Sequence, residues 1–138
     1  MNSFELDPRL EKDCLVLGRL DISMLLLMNN ALVPWFILVP GTYKTEIIDL
    51  SEAEQASLLE EINILSAFIK SNFEVTKLNT ASIGNIVSQL HVHVVGRHPS
   101  DYCWPGVVWG TKERKKYTDT QVSEIIVALK QQFGNKFI

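Results

Sequence analysis

Gln89, His91 and His93 stand two residues apart in the stretch Gln89-Leu90-His91-Val92-His93-Val94-Val95. Side chains alternate along an extended backbone, so these three would project from one strand face while Leu90, Val92 and Val94 project from the other. The apolar row seeks a core and leaves the polar row facing a cleft. Three nitrogen-bearing side chains fixed in this way can surround one anion without moving, which is the preorganisation a phosphate site requires. Imidazole in general titrates near ~6.5, so much of it is unprotonated at neutral pH and can attack phosphorus directly. His91, His93 and Gln89 are therefore the catalytic candidates, and the reaction calls for no cofactor and no metal.

Such a row works only if the surrounding elements hold it. Residues 13–20, 22–28 and 35–39 are apolar runs separated by turns and read as three strands, the third closed by Pro40 and Gly41. Ser51-Glu52-Ala53-Glu54 has the capping-box pattern and starts a helix, whose apolar stripe is Leu58, Leu59, Ile62, Leu65 and Ile69. Residues 74–81 and 88–96 read as a fourth and fifth strand with Gly84 and Asn85 at the turn between them. Val122, Ile125, Ile126, Leu129 and Phe133 form the stripe of a second helix that begins behind Thr118 and Asp119 and ends before Gly134. Strands close in sequence with helices late imply an α+β class: about five antiparallel strands and two helices in a single domain spanning residues 1–138.

Bulk properties narrow the partners. The 138 residues suit one domain, and 46% hydrophobic with 21% charged residues is ordinary globular composition. A formal net charge of -3 gives no broad basic field, which argues against a nucleic-acid polymer as partner. The most apolar stretch, residues 24–40, is broken by Asn29, Asn30 and Pro34, so neither a membrane span nor a signal peptide is expected. Cys14 and Cys103 lie far apart without a C-x-x-C spacing, which points to unpaired thiols and a cytoplasmic location.

The Gln89–Val95 segment resembles the histidine triad motif, His-φ-His-φ-His-φ-φ with φ apolar, with Gln89 in place of the first His. Phe36-Ile37-Leu38-Val39-Pro40 is similar to the Pro-terminated strand of that family, and the resemblance covers roughly residues 14 to 97. It implies the HIT fold and a hydrolase or transferase acting on a dinucleoside polyphosphate or nucleoside phosphoramidate. His91 would form a covalent nucleotidyl intermediate that water then hydrolyses, and His93 would donate to a phosphoryl oxygen. Gln89 would offer its amide N–H to the same oxygens but cannot titrate. The resemblance further implies ribose contacts from Asn29 or Asn30 and phosphate contacts from the turn at Gly84 and Asn85, with Asn79 a further candidate. It also implies a homodimer. Trp35 stands where a further His is common and Ile86 where a Ser or Thr is common, which weakens assistance to the leaving group. The alternative reading is thus a nucleotide-binding protein with little or no catalysis.

Simpler explanations stand beside these. A His-x-His pair on a strand also suits zinc, with His98, Asp101, Cys103 or Cys14 as possible third donors. Asn29 and Asn30 could be turn residues that tolerate left-handed backbone, and Gly84-Asn85 could only close a hairpin. Tyr102, Trp104, Pro105 and Trp109 could pack the core edge, line the site or anchor a subunit interface, of which the resemblance favours the interface. Lys112-Glu113-Arg114-Lys115-Lys116 reads as a solvated basic loop.

Overall fold

The computed structural model describes residues 4–138. Asp7 caps a short helix, α1 (Pro8–Asp13): its carboxylate accepts the Arg9 backbone N–H, and Pro8 sits in the first turn, where its missing N–H costs nothing. The chain then runs through β1 (Cys14–Arg19), β2 (Ser23–Met28) and β3 (Trp35–Pro40) to α2 (Glu52–Asn72), with a 3-10 turn at Ile47–Asp49 on the way. It returns through β4 (Lys77–Ala81) and β5 (Val92–Arg97), and a long connection leads to α3 (Asp119–Phe133).

Both long helices start as their sequences imply. Ser51 and Glu54 exchange side chain and backbone bonds at 3.1 and 2.9 Å, and Thr118 and Gln121 do the same at the start of α3. Gly134, at a positive φ of 56°, ends α3.

All five strands form one antiparallel sheet in the order β1-β2-β3-β5-β4. The crossover through α2 is what inserts β5 between β3 and β4, so the histidine strand has a neighbour on each side. Alternation divides the sheet's side chains. Phe36, Leu38, Val92 and Val94 join Leu58, Leu65, Phe68, Ile69, Ile125 and Leu129 in the core beneath the helices. Trp35, Ile37, Val39 and Val95 point the other way, into a second apolar cluster closed by Leu10, Val87, Val108 and the partly buried Trp109. Gly96 permits the close seating of the helix layer: a Cβ there would lie 2.5 Å from Val75 and 2.8 Å from Ile69.

Four sequence expectations need correction. A third helix, α1, precedes the sheet; six residues held by one cap and one buried Leu10 carry too little periodicity to be read in advance. Strand β4 starts at Lys77 instead of residue 74, and β5 starts at Val92 instead of residue 88. Leu59, expected on the buried stripe of α2, is exposed, and Phe68, not expected there, is buried. No non-glycine residue among those described has a positive φ, so neither Asn29 nor Asn30 adopts the left-handed conformation.

Candidate functional site

The register of β5 against β3 sets Ile37 opposite His93 and Trp35 opposite Val95, so Trp35 lies diagonal to His93 on the face away from the helices. At that position the Trp35 indole N–H donates to His93 Nδ1 at 3.0 Å. An Nδ1 that accepts cannot carry the proton of a neutral ring, so His93 presents Nε2–H, a donor. Burial beside these aromatics pushes His93 down to about 4, with the neighbouring His91 adding a smaller push, and the ring is therefore neutral at ordinary pH.

His91 has the opposite arrangement. Its Nδ1 lies 2.7 Å from the Gln89 carbonyl oxygen, which can only accept, so Nδ1 carries a hydrogen and the lone pair of the neutral ring sits on Nε2. The two rings stand edge to face with centroids 5.0 Å apart. The start of β5 and the residue just before it thus offer a ring nitrogen with a free lone pair beside a ring nitrogen that donates. Trp109 completes the wall, its ring 5.3 Å from His93 and 6.0 Å from Trp35. Its indole N–H is buried without a partner, an unusual state for such a donor. Both histidines are 5% exposed.

The other candidate residues separate into two groups. Gln89 precedes β5, and its amide bonds backbone at both ends: Oε1 accepts from the Asp7 N–H at 2.8 Å and Nε2 donates one of its two N–H groups to the Glu5 carbonyl at 2.7 Å. The expectation that Gln89 and His91 lie within the same strand as His93 is corrected: β5 begins at Val92. Gly84 and Asn85 lie exposed in the connection before β5, followed by the exposed Ile86.

The three asparagines are tied to the fold. Asn29 Oδ1 accepts the Tyr117 N–H, while buried Asn30 accepts from Leu32 and Lys115 and donates to the Glu113 carbonyl. Together they fasten the basic segment to the β2–β3 turn, and as turn residues they act through side chains. Asn79 Oδ1 accepts from Arg97, which reaches it because β4 borders β5. Arg97 is 2% exposed and also holds Asp101 through two bonds of 2.7 and 3.1 Å. That network completes a buried charge pair and keeps the start of the 98–110 segment in place.

Little in the sequence signals the parts played by five residues. Trp35 was seen only as a lost histidine, although an indole N–H can do the same holding that an imidazole N–H does. Arg97 carries no role in the sequence and Asp101 only that of a possible zinc donor, and only their spacing of four with an intervening Pro99 hints at a pair. Asp7 and Arg9 gave no signal beyond a cap-like Asp-Pro. Among the described residues no group of three or more His, Cys, Asp or Glu could hold a metal ion. No helix among them is long and apolar enough to cross a membrane.

Comparison with known proteins follows this geometry. The HIT domain family model matches residues 9–100. A histidine triad protein from Bradyrhizobium japonicum has a TM-score of 0.90 at 39% identity, covering 95% of this chain and 98% of that one. Histidine triad proteins from Sinorhizobium meliloti (0.90, 36%, covering 94% and 97%) and Marinobacter aquaeolei (0.91, 36%, covering 98% and 99%) are similar to the same extent. No curated protein matches the chain.

Proposed function

From the premise that the chain belongs to the histidine triad (HIT) family, we propose that it is a single-domain nucleotide hydrolase or transferase that works through a nucleotidyl-His91 intermediate. The observation that carries this reading is the pair of complementary ring tautomers at His93 on β5 and His91 just before it. His91 Nε2 attacks the phosphorus bound to the nucleoside, a P–N bond forms, and the bond from phosphorus to the leaving group breaks with its electron pair. His93 Nε2–H donates to a phosphoryl oxygen as its charge grows, and a neutral donor held in place costs no reorganisation. Water then displaces His91 and releases the nucleoside monophosphate.

The substrate class is a dinucleoside polyphosphate or a nucleoside phosphoramidate. With Gln89 bound to backbone and Trp35 occupying the position of a further His, no extra titratable group serves the leaving atom, so good leaving groups are favoured. Gly84 and Asn85 are free to meet phosphate, whereas Asn29, Asn30 and Asn79 contribute by shaping the site. The protein acts as a cytoplasmic homodimer, with exposed Trp104 and Val107 available to the contact.

Turnover of both substrate classes by the wild type and by His91→Ala tests the mechanism. The variant loses on the order of a thousandfold or more while still binding nucleotide; unchanged turnover in His91→Ala would reject it. A second reading, nucleotide binding without turnover, draws on the engaged amide of Gln89, and tight binding with no product from either class would favour it.

A further inference from the structure

We propose that residues 5–9 form a wall of the phosphate site, pinned there by Gln89, and that Arg9 gives the site its preference for ligands with a second phosphate. This rests on the assignment of a nucleotide phosphate to His91 and His93.

Gln89, which departs from the first His of the family motif, grips the N-terminal segment through its side chain, and the backbone carbonyl of residue 86 adds a second hold. Gln89 spans Glu5 and Asp7 through one acceptor and one donor on a single planar amide. The two groups it meets are the carbonyl of one residue and the N–H of the next but one. An imidazole also has one donor and one acceptor, but they diverge around a ring and cannot close on one stretch of backbone in this way. Leu10 anchors the segment from below, buried with Val87 in the second cluster.

The result is a fixed guanidinium. Arg9 Nε and Nη2 donate to the Asp7 carboxylate at 3.1 and 3.0 Å, and Nη1 donates to the Ile86 carbonyl at 2.9 Å. Arg9 therefore braces the turn that leads into the histidine strand. Of its five N–H donors three are spent and two remain. The side chain is 59% exposed, so those two are accessible to a ligand. Asp7 is joined to His91 through a single residue: Gln89 accepts the Asp7 N–H on its side chain at 2.8 Å and presents its backbone carbonyl to His91 Nδ1 at 2.7 Å. Arg9 is thus at the rim of the same site, on the side of the Gly84–Ile86 turn. A ligand with one phosphate is satisfied at His91 and His93. A second phosphate extending toward the turn meets the free N–H groups of Arg9, where a planar fork binds phosphate oxygens well.

Titration calorimetry with AMP against ADP, and GMP against GDP, reads the preference without requiring turnover. The wild type binds the diphosphate of the preferred base about tenfold more tightly than the monophosphate, the size of one charge-assisted hydrogen bond. Arg9→Gln abolishes that ratio and Arg9→Lys restores part of it, since charge remains but the fork does not. Gln89→Ala reduces the ratio and speeds amide hydrogen exchange over residues 5–9, whereas a purely structural Gln89 would weaken both nucleotides alike. Equal affinity for mono- and diphosphate in the wild type, a ratio unchanged in a folded Arg9→Gln, or no binding of any of the four would overturn the proposal. If His91 nevertheless becomes nucleotidylated, the hydrolase reading survives that failure, so the two are separable.

Discussion

At the scale of single residues the account turns on where two protons sit. Trp35→Phe keeps most of the ring volume but removes the donor that holds His93 Nδ1. The expected outcome is a loss of about 1–3 kcal/mol of stability from the unpaired nitrogen, measured by urea unfolding. Turnover falls on the order of tenfold to a hundredfold as the tautomer and orientation are released. The low value of His93 makes a separate prediction. Above about pH 6.5 the ring is neutral in both folded and unfolded chains and nothing is lost. As pH falls toward 4 the unfolded chain takes up a proton that the folded chain refuses, so stability declines by on the order of 3 kcal/mol across that window. Denaturant midpoints from pH 7.5 to 4.5 check this, with His93→Gln losing close to one proton's worth of the slope. The types and spacing of His91 and His93 were legible in the sequence because a strand's alternation is strict. Their tautomers were not, because they depend on Trp35 from another strand and on a backbone carbonyl.

At the scale of elements, the order of the sheet decides which residues meet. Placing β5 between β3 and β4 brings Trp35 to His93 and Asn79 to Arg97. Gly96→Ala should cost about 1–3 kcal/mol, because the added methyl meets Val75 and Ile69 at distances that require β5 and α2 to separate. Thermal unfolding measures it. Asp101→Ala should cost about 3–5 kcal/mol by leaving the Arg97 guanidinium buried without its carboxylate. The strands and long helices were readable because apolar period and capping boxes are local signals. Helix α1 is too short to show a period, and the bonds of Glu5 and Asp7 to Gln89 join positions more than eighty residues apart, which no local pattern encodes. For the same reason the bonds of Asn29, Asn30 and Asn79 to Tyr117, Lys115 and Arg97 could not be read from the local sequence.

For the whole molecule, the antiparallel α+β architecture followed from strand and helix order, and the family model and solved relatives agree with it. Sedimentation equilibrium should give twice the 15.6 kDa chain mass if the homodimer forms, and a monomer mass would remove that part of the proposal. The central claim concerns one covalent bond. Rapid acid-free quenching of the enzyme with a dinucleoside polyphosphate, followed by peptide mass spectrometry, should find one nucleoside monophosphate added to the peptide that contains His91, and none in His91→Ala. Product formation with no adduct on His91 at any quench time, or an adduct that persists in His91→Ala, would contradict it.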